Sequence, residues 1–182
     1  MQPSRMAARS QSDNPRNKGP SIALHLGASM PMFPTRFFGH MSYEDDSIVH
    51  FPLGIPGFEE EREFVLIHQP ARDPVMFFQS VLQQDLCFVT LPVHSIEPAF
   101  ALKLSQEELS RLGLSPECAP TIGEDVLCVA LVSTQPEESP YVNLFAPIVV
   151  NLTNRLALQV IQSNSGYSCR HPIETSERQA CL

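Results

Sequence analysis

The side chains of this 182-residue chain most able to do chemistry are six histidines, five cysteines and one run of glutamates. The histidines, His25, His40, His50, His68, His94 and His171, stand singly. His50, His68 and Asp45 are a combination that separate strands could gather into a two-histidine, one-carboxylate metal triad; the alternative is that they are unrelated strand and loop residues. The chain has no Gly-x-x-x-x-Gly-Lys phosphate loop, no Gly-x-Ser-x-Gly nucleophile elbow and no His-Glu-x-x-His zinc pair. No Gly-x-Gly-x-x-Gly follows a strand-like run. The cysteines, Cys87, Cys118, Cys128, Cys169 and Cys181, are odd in number and include no Cys-x-x-Cys. Cys87 and Cys128 lie inside apolar runs, where a thiol behaves as a small hydrophobe. That usage fits a reducing cytoplasm and not a disulfide framework. We therefore expect no catalytic residue, no cofactor and no metal.

The glutamates point elsewhere. Glu59, Glu60, Glu61 and Glu63 directly follow Ile55 and Phe58 in the phrase FPLGIPGFEE. An apolar anchor rimmed by charge is a common anatomy for a protein interface, and an acidic rim steers a basic partner. Two plainer readings stay open: a solvated charge run, and a Phe58 that folds back into the core. The candidate protein-binding residues are thus Ile55, Phe58, Glu59, Glu60, Glu61 and Glu63.

The net charge of −8 is uneven. Residues 1–31 hold four basic residues and one acidic, a net of +3. The remainder holds eight basic and nineteen acidic, a net of −11. An acidic body repels nucleic-acid phosphates, so direct nucleic-acid binding is not expected. No apolar run is long enough to span a membrane, and the N-terminus lacks a continuous apolar stretch of the signal-peptide kind.

Residues 1–31, rich in Ser, Pro, Asn, Gln and Arg, read as a disordered extension, with Met30 or Met32 as alternative starts. Residues 32–175 read as one β-rich domain and 176–182 as a flexible tail. Strands are expected over 36–41, 47–51, 64–68, 76–80, 86–91, 126–133, 141–143, 148–152 and 156–162. Pro52, Gly54, Pro56 and Gly57 shape the intervening loop. One segment reads as a short helix near 105–112: Ser105 and Glu108 form a capping box, and Gly113 stops it. The run 126–133 is apolar on both faces, so its flanking turns are expected to set its register. Phe77 and Phe78 are adjacent, so on a strand they leave by opposite faces. Many short strands and one helix argue for an all-β fold, a compact antiparallel β-barrel or β-sandwich.

Three segments carry a family resemblance: TRFFGHMSYEDDSIVHFPLGIPGFE (35–59), FFQSVLQQDLCFVTLP (77–92) and YVNLFAPIVVNLTNRLALQVIQSNSGYSCRHPI (141–173). In that order they resemble FliW, the flagellar assembly factor family. Phe77-Phe78-Gln79-Ser80 departs from the family's usual aromatic-Leu-Gln-Ser, and so does the long N-terminal extension. The resemblance implies the same β-rich fold and a cytoplasmic regulator without catalysis. It further implies two partners. One is the translational repressor CsrA, whose hold on flagellin message the family relieves; the other is flagellin, which competes for the factor. Two alternatives remain: a flagellin chaperone without CsrA binding, and a small barrel enzyme or ligand binder with a metal site.

Overall fold

The computed structural model describes residues 31–44 and 47–173. The expected disordered extension, residue 31 apart, and the expected tail 176–182 lie outside them, as does Asp45 of the conceivable metal triad.

A hairpin comes first: β1 (Met32–Thr35) pairs antiparallel with β2 (Gly39–Ser42). The single strand expected over 36–41 is thus a turn followed by a strand. Gly39, at φ 70°, and Thr35, whose hydroxyl accepts from the Phe38 amide, make that turn. The main sheet then runs through β3 (Ile48–His50), β4 (Glu63–His68), β5 (Met76–Ser80), β6 (Cys87–Pro92), β7 (Val126–Ser133), β9 (Ile148–Asn151) and β10 (Ala157–Gln159), in the order β10-β9-β7-β6-β5-β4-β3. Two short strands, β8 (Tyr141–Val142) and β11 (His171–Pro172), extend it from the far end of β7. The all-β expectation holds, with a refinement to the barrel or sandwich wording. The sheet is not closed; its two ends meet at a single parallel bridge, His50 to Leu156, where the His50 amide donates to the Arg155 carbonyl at 2.9 Å.

The capping box predicts the longer helix, α2 (Gln106–Leu112). Ser105 Oγ accepts from the Glu108 amide at 3.3 Å, and Glu108 Oε2 accepts from the Ser105 amide at 2.7 Å. Gly113, at φ 67°, ends it, and Leu109 and Leu112 form its buried face. Asn151 and Asn154 both donate to the Leu112 carbonyl, at 2.9 and 3.0 Å, which ties the helix end to the turn before β10. A second helix was not expected: α1 (Val93–Ile96), one turn directly after β6. Four residues are too few to display a helical period.

Strand β7 separates two cores. Val126, Cys128 and Ala130 face Val93, Phe100, Leu112 and Val149. Val129 faces Phe51, Phe64, Phe78 and Ile148. The run read as apolar on both faces is therefore packed on both, fully at Val126, Cys128, Val129 and Ala130 and partly at Leu127, Leu131 and Val132. The turn before it is hydrogen-bonded within itself: Asp125 Oδ2 accepts from the Thr121 amide at 2.8 Å, and the Gly123 amide donates to the Val126 carbonyl at 2.8 Å. Phe77 and Phe78 do part. Phe78 enters the core around Phe51, and Phe77 joins a third cluster, with Val65, Ile67 and Phe33, beneath the β1–β2 hairpin.

Burial also grades the thiols. It pushes Cys87 up to about 11 and Cys128 up to about 12, whereas Cys118 and Cys169 are exposed. Because the thiolate is the reacting form, native protein at mildly alkaline pH is expected to alkylate at Cys118 and Cys169 well before Cys87 and Cys128. Peptide mass mapping after a timed iodoacetamide pulse checks this; early modification of Cys128 contradicts the burial described.

Candidate protein-binding surface

The loop between β3 and β4 is built from the inside out. Phe51 enters the core, and its carbonyl accepts from the Gly54 amide at 2.9 Å. Gly54 sits at φ 70°, and a β-carbon there would lie 2.5 Å from Glu59 Cα. Only glycine fits both the dihedral and the space. Ile55 and Phe58 then form a bridge, with the Phe58 amide donating to the Ile55 carbonyl at 2.7 Å. Arg62 closes the loop's base by donating from its guanidinium to the Pro52 carbonyl.

The six predicted residues are not one surface. Ile55 is a core residue packed among Phe51, Phe64 and Phe78, which corrects its reading as an exposed anchor. Glu61 is 5% exposed, which corrects its place in a solvent-facing acidic patch. It accepts from Ser80 Oγ at 2.7 Å and from the Gln83 side-chain amide. A buried carboxylate must be hydrogen-bonded, and these two donors make Glu61 a tether between the loop and the β5–β6 turn. The turn has its own inner prop in buried Gln79, whose Nε2 donates to the Leu86 carbonyl at 3.0 Å and the Ser80 carbonyl at 3.1 Å. Glu63, on β4, is half-exposed and lies 3.6 Å from His50 Nδ1.

Phe58, Glu59 and Glu60 are left at the surface. Phe58 is 41% exposed, with one edge against the Phe88 ring at 5.1 Å, so it is neither a core plug nor a free side chain. Glu59 is fully exposed, and its carboxylate accepts from the Gly57 amide at 2.8 Å. That bond, then its own backbone amide, holds its carboxyl below the usual range, so its charge persists into mild acid. Beside it lies a groove of about 120 Å³ lined by Leu53, Gly54, Pro56, Glu59, Leu158 and Gln159. Leu53 is exposed and was not foreseen; a single Leu between Pro and Gly shows no periodicity that assigns it a side.

Among the described residues, histidines and acids meet only in pairs: His50 with Glu63, and His68 with Asp73 at 3.1 Å. Among the described residues no three His, Cys, Asp or Glu side chains converge as metal ligands, and no helix is long and apolar enough to cross a membrane.

A family model described as FliW protein matches residues 32–173. The chain belongs to the FliW family. Several relatives described as flagellar assembly factor FliW are similar to it. The Syntrophomonas wolfei protein is 36% identical over 135 residues, 74% of this chain and 83% of that relative. The protein of Geobacillus sp. strain WCH70 is 37% identical, across 75% of this chain and 91% of its own. The Bacillus subtilis protein is 30% identical, across 76% and 94%. A crystal structure of the flagellar assembly factor FliW superposes with a TM-score of 0.69 at 32% identity, covering 81% of this chain and 99% of that one. The resemblance drawn from the three sequence segments is thus borne out. The FliW match spans both the loop and the tether beneath it, the Gln79-Ser80 pair included.

Proposed function

We propose that this chain is a flagellar assembly factor that acts by holding other proteins and performs no catalysis. It binds a CsrA-type translational repressor, weakens that repressor's hold on flagellin message, and binds flagellin as the competing partner. The supporting observation is the surface of the β3–β4 loop, where half-exposed Phe58 is followed by two exposed carboxylates, Glu59 and Glu60, the first of which also lines the groove. The wider charge agrees: residues 32–173 hold seven basic and seventeen acidic residues, a net of −10. Such a body attracts a basic RNA-binding surface and repels incoming RNA.

The test is binding kinetics with the host's own repressor at two salt concentrations. Glu59→Lys with Glu60→Lys, leaving the buried Glu61 intact, is expected to lower the association rate at low salt by about ten-fold. The difference shrinks at physiological salt, where the Debye length is about 8 Å. Phe58→Ala is expected to raise the dissociation rate instead. Absence of any complex at low salt defeats the repressor half of the proposal; flagellin binding alone would then leave a chaperone.

A further inference from the structure

A second surface has the opposite chemistry. Phe37 and Phe38, at the tip of the β1–β2 hairpin, overhang the outer face of β5 and β6, leaving a cleft of about 140 Å³ above Phe77, Cys87 and Val89 with Arg72 at its lip. Its walls are apolar, and two of them are open to solvent: Phe37 is 59% exposed and Val89 is 37% exposed. Two of the seven basic residues in the acidic domain stand over aromatic rings here. The Arg36 guanidinium lies 5.6 Å from the Phe37 ring centre, and that of Arg72 lies 5.8 Å from Phe77. Arg36 has a carboxylate nearby, Asp85 at 3.9 Å. Arg72 has no carboxylate within 4 Å and no hydrogen bond from its guanidinium among the described residues. Its face is held by the ring, and the donors along its edge are unclaimed.

An apolar slot of this size takes one large aliphatic side chain, and a guanidinium at its rim recognises a carboxylate. We propose that this cleft is a second docking site, for a protein segment that inserts an aliphatic side chain and presents a carboxylate to Arg72. The argument is charge complementarity against the background of the domain. The β3–β4 loop suits a basic partner, and the Arg72 cleft suits one whose contact segment is acidic and apolar. The inference rests on the two-partner reading and extends it by giving the domain a second contact face of different chemistry; competition between the partners then acts through bulk or coupling beyond the two contact segments.

The probe is a pair of short peptides, acetyl-Glu-Leu-Leu-Glu-amide and acetyl-Lys-Leu-Leu-Lys-amide, titrated to millimolar concentration into the isotope-labelled full chain. Amide shifts of Phe37, Phe77 and Val89 report the cleft. Saturable shifts with the acidic peptide are expected, about ten-fold weaker in Arg72→Glu, since one charge-assisted contact is lost and a like charge replaces it. Lys103→Glu makes the same change in net charge at an exposed residue elsewhere and is expected to bind as the parent does. A lysine peptide that binds equally well, an equal loss in Lys103→Glu, or no saturable shift at the cleft overturns the proposal. So does parent protein whose self-association is abolished by Arg72→Glu, which would make the cleft a copy-to-copy contact. None of these outcomes depends on whether a CsrA-type protein binds the loop, so the two proposals fail separately.

Discussion

Val129→Asp is expected to abolish the cooperative unfolding transition, leaving a chain that is already unfolded or aggregated in buffer. Val129 is fully buried in the middle of β7, where it pairs with Pro92 of β6 and with Ile148 of β9. Its neighbours on that face are Phe51, Phe64, Phe78 and Ile148, none of which donates a hydrogen bond from its side chain. An unpaired carboxylate there must be buried charged or buried protonated, and either form costs several kcal/mol. Domain stabilities are about 5–15 kcal/mol, so one such group removes a large share. Val129→Ala is the scale marker: two methyl groups and a small cavity cost about 2 kcal/mol and keep the transition. Circular dichroism with urea titration separates the two variants. Soluble Val129→Asp with the parent's midpoint would show that the strand is not packed on both faces.

The next largest effect is expected from Gly54→Ala, through geometry alone. A non-glycine residue at positive φ costs about 1–2 kcal/mol. At Gly54 the added carbon also meets Glu59 Cα at 2.5 Å, its carbonyl oxygen at 2.6 Å and its carbonyl carbon at 2.8 Å. These are backbone atoms, so the loop itself must shift, for a total of about 3 kcal/mol. The shift displaces Glu59 and Phe58 and so reaches the proposed partner surface as well. Gly57→Ala supplies the control, because Gly57 has φ 86° with no atom within 4 Å of the added carbon. It is expected to cost only the dihedral penalty, about 1 kcal/mol. Equal midpoints for the two alanine variants would mean that the approach of Glu59 to Gly54 is not close in solution.

The parts legible in sequence were those where a short-range rule acts alone. The capping box Ser105 to Glu108 and the stop at Gly113 placed α2 because helix ends answer to local donors and acceptors. The apolar run through Val126–Ser133 was readable as buried on both sides because neither alternating set of residues is polar enough to face water, the terminal Ser133 apart. By contrast, the turn at Arg36–Phe38 was read as strand, since aromatic residues favour strands and the turn depends on the Thr35 side chain.

The candidate surface was legible only in part, and the loss has a physical cause. Sequence supplied the composition of the loop, apolar residues and then acids, with glycine and proline to bend it. It also supplied the family, because three separated segments kept their order over residues 35–173. Which side chains face water was decided by contacts distant along the chain. Glu61 turned inward because Ser80 and Gln83, about twenty residues later, offer it two hydrogen bonds. Ile55 turned inward because Phe51, Phe64 and Phe78 meet beneath it, while Phe58 stopped halfway against Phe88. The Arg72 cleft likewise exists only because the β1–β2 hairpin folds over β5 and β6, bringing Phe37 to Phe77 and Val89. Local rules set what each residue prefers; burial against partners far along the chain decides which preference is met.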